Sequence, residues 1–158
     1  MPLITYSHMG QKTAALNGVD DNTVLMLHAD DYIDSSSHHH PITTAVSIDT
    51  NVPKMGTASF HFNNDSFVIQ NSTDFNFGTA DFTIDFWMKQ PSAAHQYLCG
   101  GRSSNRWLVA LSGTNSSVIG IYHSSLGWPV AVGTTTVTDS LWHHIAIVRY
   151  GTFITSVC

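Results

Sequence analysis

The clearest pattern in the chain lies between residues 81 and 89, where apolar residues occupy every second position, from Phe82 to Met88. The residues of this segment are Asp81, Phe82, Thr83, Ile84, Asp85, Phe86, Trp87, Met88 and Lys89. Because successive side chains of a β-strand point to opposite faces, this period of two predicts a half-buried strand. A second strand is predicted over 141–150, where it ends in a Tyr150-Gly151 turn.

Short runs of similar character recur along the chain, separated by turns rich in Gly, Asn, Asp and Pro. The further predicted strands cover residues 23–27, 42–49, 57–62, 67–70, 97–99, 107–111, 118–122, 130–137 and 153–157. We expect 57–62 and 67–70 to form a hairpin, 72–77 to be a loop with room for one helical turn, and 127–129 to be a turn. Short strands at intervals of about 8–12 residues indicate an all-β sandwich or barrel.

The first 22 residues differ from the rest of the chain. They show little alternation and contain an Asn17-Gly18 turn signal followed by Asp20, Asp21 and Asn22. We interpret residues 1–22 as an N-terminal arm or linker and residues 23–158 as one domain. A chain of 158 residues is long enough for one domain with a hydrophobic core.

The charge composition excludes several classes of function. Charged residues make up 11% of the chain, and all 11 acidic residues are Asp. The absence of Glu, a good helix former, agrees with an all-β fold. A net charge of -5 with six Lys and Arg residues leaves no basic surface for nucleic acid. No apolar run approaches the roughly 20 residues that span a bilayer, and the N-terminus does not have the pattern of a signal peptide.

Two segments carry a family resemblance, one over residues 75–89 and one over residues 141–151. Together they resemble the laminin-G-like members of the concanavalin A-like lectin family. Residues 24–30 and 56–62 are similar to the opening of such domains in phage tail and virion proteins. The resemblance implies a two-sheet antiparallel jelly-roll sandwich that binds or assembles rather than catalyses. Family domains normally continue after this turn, so we expect the sandwich to lack its last strands.

A sandwich without its last strands has consequences for its partners. It exposes a sheet edge, and such an edge readily pairs with another strand. Strand addition would cover it, and residues 1–22 are a candidate donor within the same chain or to a neighbour. Together with the resemblance to phage tail and virion domains and the polar, low-charge composition, this exposed edge leads us to expect a non-catalytic structural subunit of a phage or virus particle, such as a decoration, fibre or tail-associated subunit. It would be made in the host cytoplasm, located in the virion, and docked on other virion subunits or on itself as a homo-oligomer.

Carbohydrate binding is the alternative function. It needs aromatic faces that stack on a sugar ring and polar groups that bond its hydroxyls. Residues of this kind between positions 97 and 128 are Arg102, Asn105, Arg106, Tyr122, His123 and Trp128. Arg102, Asn105, Tyr122 and Trp128 are the candidate binding residues. Trp128 stands in an expected turn, whereas Trp107 stands in an alternating strand and is expected in the core.

Metal-binding residue types occur in one Ser-rich loop. Imidazole suits zinc or nickel, but adjacent loop residues rarely converge on one ion, so we interpret His38, His39 and His40 as a solvated loop. The carboxylates of Asp30, Asp31 and Asp34 offer oxygen ligands for calcium, which related domains often bind. The sequence therefore predicts no cofactor, and the alternatives left open are calcium at these carboxylates and an adventitious metal ion at the histidines.

Catalysis is not expected. Glycosidases of this superfold typically use two Glu with an Asp between them, and this chain has no Glu. Phosphate-binding, zinc-protease and serine-hydrolase motifs are also missing.

His143 and His144 are adjacent in a strand, so they point to opposite faces and cannot share a site. Cys99 and Cys158 do not make a disulfide framework and are expected as free thiols.

Overall fold

The computed structural model describes residues 3–6, 19–101, 107–112, 117–123 and 127–158, with residues 3–6 and 127–129 described by their backbone alone. The strands are β1 Leu3–Tyr6, β2 Ile42–Thr44, β3 Ser47–Asp49, β4 Ser59–His61, β5 Phe67–Ile69, β6 Phe82–Lys89, β7 Tyr97–Gly100, β8 Trp107–Ser112, β9 Val118–His123, β10 Gly127–Val132, β11 Trp142–Tyr150 and β12 Phe153–Val157. One 3-10 turn, η1, covers Thr73–Phe75. Within this described part of the chain, the structure has no helix with the length and apolar character to cross a membrane.

The strands form two large sheets and one small ribbon. The six-stranded sheet has the order β12-β11-β6-β1-β4-β3, the four-stranded sheet has the order β10-β9-β8-β7, and β2 pairs with β5. Every strand pair is antiparallel. The prediction of an all-β antiparallel sandwich of the concanavalin A-like jelly-roll type is confirmed.

The main core lies between the inner faces of the two large sheets. Among the described residues, eight of its nine buried side chains, all but Val137, come in pairs two residues apart, which puts each pair on one face of its strand. The pairs are Phe86 and Met88 on β6, Val109 and Leu111 on β8, Ile119 and Ile121 on β9, and Ile145 and Ile147 on β11. The alternation that predicted β6 is therefore reproduced in three dimensions.

A second, smaller core lies under the β2–β5 ribbon. Leu27, Ala29, Val46 and Phe60 are its buried members. Phe62 packs against both cores, so it links the ribbon side of the molecule to the main sandwich.

Strand β1 lies inside the six-stranded sheet. Its residues Leu3 to Tyr6 pair with Lys89 to Phe86 of β6 on one side, and Leu3 and Ile4 pair with β4 on the other. Four residues of the predicted arm thus form a strand within the chain's own sheet. Most of residues 1–22 lie outside the described part of the chain, so the boundary at residue 22 stays a prediction.

The strands β6, β7, β8, β9, β11 and β12 match their predicted positions to within one residue at either end. The single helical turn within 72–77 is also confirmed. The six strands have two features in common: each pairs with an antiparallel neighbour, and each turns one face toward the main core.

The hairpin predicted from 57–62 and 67–70 is wrong. Strand β4 is bonded on its two sides by β1 and β3, so β5 pairs with β2 instead. Phe60 and Phe67 still meet, with ring centroids 4.5 Å apart in an edge-to-face arrangement. The two segments therefore contact each other through their faces and not through their edges.

Two other predicted strands are wrong in extent. Residues 23–27 are largely buried but form a single bridge between Leu27 and Asp34, because the N–H of Met26 donates to the Asp34 carboxylate at 3.0 Å and not to a strand. Residues 42–49 split into β2 and β3, which belong to different sheets. The break is stabilised by the N–H of Val46, which donates to Thr44 Oγ1 at 2.8 Å.

The turn predicted at 127–129 is also wrong, since β10 begins at Gly127 and ends at Val132, short of the predicted end at residue 137. Its ladder with β9 shifts register between Gly127 and Ala131. Strand β10 is at the edge of its sheet. Pro129 is compatible with this position because an edge strand has one side that needs no N–H donor.

Substitution of a core phenylalanine should unfold the protein more easily than substitution of a surface one. Phe86 is fully buried, so Phe86→Ala should lower the free energy of unfolding by about 3–5 kcal/mol. Phe153 lies in the same sheet but is 77% exposed, so Phe153→Ala should change it by less than about 0.5 kcal/mol. Urea unfolding followed by tryptophan fluorescence measures both. Equal losses would contradict the assigned faces.

Candidate functional site at one end of the sandwich

Strand ends from both large sheets meet at one end of the molecule. In the four-stranded sheet, Trp107 at the start of β8 pairs with His123 at the end of β9, and Gly127 pairs with the same His123. In the six-stranded sheet, Phe82 at the start of β6 pairs with Arg149 near the end of β11. A small cleft opens there, and its lining includes Phe77, Phe82, Trp107, Tyr122, His123 and Arg149.

Aromatic rings form one wall of this cleft. Phe77 stacks on Phe82 with ring centroids 4.5 Å apart and lies 5.2 Å from the ring of Trp107. The indole N–H of Trp107 donates to the backbone oxygen of Phe75 at 3.2 Å. Trp107 is therefore held by packing and by a hydrogen bond, in agreement with its predicted place against the core.

Three hydrogen bonds stabilise the rim of the cleft near Gly151. Arg149 donates from Nη1 to Gly78 O at 2.6 Å and from Nε to Gly151 O at 3.2 Å. The N–H of Gly151 donates to Asp81 Oδ1 at 2.7 Å. Gly151 has a φ of +58°, in the left-handed region that favours glycine. These contacts fix the β11–β12 turn against the segment that leads into β6.

Two aromatic side chains flank this turn and face solvent. Tyr150 and Phe153 are paired across β11 and β12, and each is 77% exposed. The sequence analysis did not identify them as binding candidates. Their signal was present in the chain, since a two-residue turn places the residues on either side of it opposite each other.

A cluster of histidines and a carboxylate lies where the polar loop meets η1. His38 Nδ1 lies 3.0 Å and His40 Nε2 3.2 Å from the same oxygen, Asp74 Oδ2. The rings of His38 and His40 stack with centroids 5.7 Å apart. His39 turns away, and its Nδ1 lies 3.2 Å from Asp34 O.

This grouping was missed from the sequence, in which the three histidines were interpreted as a solvated loop. Asp74 is 36 residues from His38 along the chain, and no local pattern connects them. Phe75 places the cluster next to the cleft, because its ring lies 4.9 Å from that of His40 and its carbonyl oxygen accepts the indole N–H of Trp107.

The three aspartates considered for calcium have separate structural tasks. Asp30 accepts hydrogen bonds from the amide and hydroxyl of Thr57, and Asp31 accepts the N–H of Ile33. Asp34 is 2% exposed and accepts four hydrogen bonds within its own loop and from residue 26. The structure does not bring the three carboxylates together, so this ligand set for calcium is not assembled.

The carboxylates of Asp34 in the loop and Asp74 in η1 both have lowered pKa values, which favours their charged form. Burial disfavours the charge on Asp34, but hydrogen bonds from the N–H groups of Met26, Ser36 and His40 outweigh it and lower the pKa of Asp34 below its usual value. The pKa of Asp74 is lowered mainly by the hydrogen bond from Ser72, with a contribution from nearby His38.

The predicted sugar-binding residues are only partly visible. Tyr122 is half-buried and lines the cleft together with His123. Arg102, Asn105 and Arg106 lie outside the described residues, and of Trp128 only the backbone within β10 is described. Their role in binding stays a prediction.

The other histidines and the cysteines singled out in the sequence make contacts that stabilise the fold or lie unpaired as thiols. His143 Nε2 lies 2.8 Å from Asp139 Oδ1, whereas His144 packs 5.1 Å from the Trp87 ring. Cys99 and Cys158 are both free. Burial raises the pKa of the Cys99 thiol to about 12, which keeps it unreactive at neutral pH.

The buried carboxylate of Asp34 should stabilise the protein in a pH-dependent way. Asp34→Asn should lower the free energy of unfolding by about 1–3 kcal/mol at neutral pH, because several N–H donors lose a charged acceptor. The folded pKa is lowered, so the advantage of the wild type is present above the unfolded pKa of about 3.9 and is lost as pH falls through the folded pKa.

Chemical denaturation of both proteins at a series of pH values tests this expectation. Asp31→Asn is the matched control, since Asp31 is exposed in the same loop, and it should change stability by less than about 0.5 kcal/mol. A difference between wild type and Asp34→Asn that does not diminish in acid would contradict the assignment.

Comparison with known proteins agrees with this architecture. A family model described as the concanavalin A-like lectin/glucanases superfamily, of laminin-G type, matches residues 61–156, which is more than half of the chain. Searches of curated proteins and of solved structures gave no significant match. Laminin-G-like domains of this family are mostly non-catalytic binding modules. The chain belongs to the concanavalin A-like lectin/glucanases superfamily.

Proposed function

We propose that this protein is a non-catalytic carbohydrate-binding module. The observation that carries the proposal is the pair of exposed aromatic rings, Tyr150 and Phe153, on the outer face of the same β11–β12 hairpin whose inner-face residues Arg149 and Ile154 line the cleft. Aromatic faces stack on sugar rings, and a concave neighbour with polar groups orients the hydroxyls. Membership of a lectin superfamily supports the same function.

Polar side chains that could bond sugar hydroxyls line the cleft itself. They are Tyr122, His123 and Arg149. Arg102, Asn105 and Trp128, the other candidates inferred from sequence, stay part of the proposal and are tested by substitution below.

The rim is organised before any ligand arrives. The hydrogen bonds among Arg149, Gly78, Gly151 and Asp81 hold the turn that presents the two exposed rings. A surface that is already ordered loses less conformational entropy when a ligand binds. This lowers the free-energy cost of binding, which matters most for ligands that make few contacts, such as sugars.

The same contacts support binding without hydrolysis. Asp81, next to Phe82 of the cleft, accepts the N–H of Gly151 and so has a structural partner. The chain has no Glu, the residue that glycosidases of this superfold use as acid and nucleophile.

Loss of either exposed ring should weaken glycan binding. A glycan array identifies a ligand, and calorimetry with that ligand should show about two- to tenfold weaker binding for Tyr150→Ala and for Phe153→Ala. Arg102→Ala and Trp128→Ala test the polar and aromatic candidates of the neighbouring segments.

Tyr97→Ala is the matched control for this experiment, because Tyr97 is 70% exposed but lies on β7, at the edge of the other large sheet. Its affinity should equal that of the wild type. An array without any bound glycan, or equal affinities for all variants, would refute the proposal.

A second candidate function is a structural subunit of a phage or virus particle. It is favoured by the exposed apolar side of β12, an edge strand on which Phe153 and Val157 face solvent beside Tyr150 of β11. Exposed apolar patches mark interaction surfaces, and an edge strand can pair with another chain. In this function the chain would dock on other virion subunits or on a copy of itself.

The solution mass of the chain separates the two candidates. A subunit that assembles through β12 should give a defined oligomer in light scattering, and Val157→Ser should shift it toward the monomer. Val68→Ser is the control, since Val68 is equally exposed but lies on β5 of the ribbon. A monomeric wild type would remove the support for self-assembly and leave glycan binding as the function to test.

A further inference from the structure

Three metal-binding side chains converge where the loop over residues 34–40 meets η1. The atoms His38 Nδ1, His40 Nε2 and Asp74 Oδ2 all lie within 4.8 Å of one another. Oδ2 of Asp74 is 3.0 Å from the first nitrogen and 3.2 Å from the second. Two ligand atoms on a tetrahedral Zn²⁺ at about 2.0–2.1 Å are about 3.3–3.4 Å apart. The two distances to Asp74 Oδ2 are slightly shorter than this spacing.

His40 provides an independent indication of a ligand. Its side chain is 9% exposed, and Nε2 lies 3.2 Å from Asp74 Oδ2 but makes no hydrogen bond with any described residue. A buried ring nitrogen without a hydrogen bond is destabilising unless another ligand satisfies it.

We propose that His38, His40 and Asp74 form a binding site for a divalent transition-metal ion, with Zn²⁺ as the favoured occupant. Two imidazole nitrogens and one carboxylate suit Zn²⁺, whereas Ca²⁺ and Mg²⁺ prefer sites made of oxygen ligands. Three protein ligands leave one tetrahedral position for water or an incoming group. The partly exposed ring of His38 gives the ion a route from solvent.

Neighbouring hydrogen bonds hold the three ligands in place. Ser72 donates from Oγ to Asp74 Oδ2 at 2.8 Å and accepts the N–H of Asp74. The N–H of His40 donates to Asp34 Oδ2 at 2.9 Å, which anchors the loop. Partners of this kind orient metal ligands and influence the affinity of a site.

The backbone explains how a run of three histidines supplies two ligands. His39 has a φ of +48°, in the left-handed region, so the chain bends sharply between its neighbours. His38 and His40 thereby share one side of the loop, and their rings stack. A bound ion would join this loop to η1, next to the Phe75 carbonyl that holds Trp107.

The test is a titration of the full chain, prepared without a histidine tag and dialysed against a chelator. Calorimetry with Zn²⁺ should show one ion per chain and a raised melting temperature, whereas Ca²⁺ should give no binding. Asp74→Asn and His38→Ala should each weaken Zn²⁺ binding by more than about tenfold. Co²⁺ in place of Zn²⁺ should give visible d–d absorption that Asp74→Asn removes.

The matched control is His39→Asn, which changes the middle histidine and tolerates the positive φ. It should bind Zn²⁺ as the wild type does. His38 is the most exposed ligand, so His38→Ala should keep the circular dichroism spectrum of the folded chain. A wild type that does not bind Zn²⁺, or equal Zn²⁺ affinity in the wild type, Asp74→Asn and His38→Ala, would overturn the proposal.

Discussion

The pairing of β6 with β11 is the interaction on which the rest of the structure depends. Its ladder runs without a break from Lys89 opposite Trp142 to Phe82 opposite Arg149. A slip of one residue would turn Phe86 and Ile145 away from the core, because alternate residues face opposite sides. The same register brings Arg149 to the end where it bonds Gly78 and Gly151. One ladder therefore sets both the core and the rim of the candidate site.

The fold could be predicted from sequence wherever a strand has an unambiguous inner face. Phe82, Ile84, Phe86 and Met88 of β6 have a period of two, and the core uses those positions. Prediction failed where a backbone group has more than one possible partner. Met26 donates to the side chain of Asp34, and β4 has both edges occupied before β5 can pair with it. The local pattern of apolar residues predicts which side chains are buried. It does not predict which strand edges are already hydrogen-bonded to another strand.

The candidate site was less predictable, since its parts are far apart in the chain. Tyr122 was identified as a binding residue and lines the cleft. Tyr150 and Phe153 were missed because an aromatic residue in a strand is more often in the core than on the surface. Asp74 was missed because its relation to His38 and His40 depends on how η1 lies against a loop. Such a contact is a property of the tertiary fold and not of a spacing.

The position of β1 has a consequence for the order of folding. Among the described strands, β4 and β3 are hydrogen-bonded to the rest of the six-stranded sheet only through β1, which precedes them in the chain. On the ribosome, β1 can pair with β4 only after residue 61 has been synthesised, and with β6 only after residue 89. Contacts of long sequence separation form slowly. The two ladders of β1, which connect the β3–β4 pair to β6, should therefore be among the later contacts of this sheet to form.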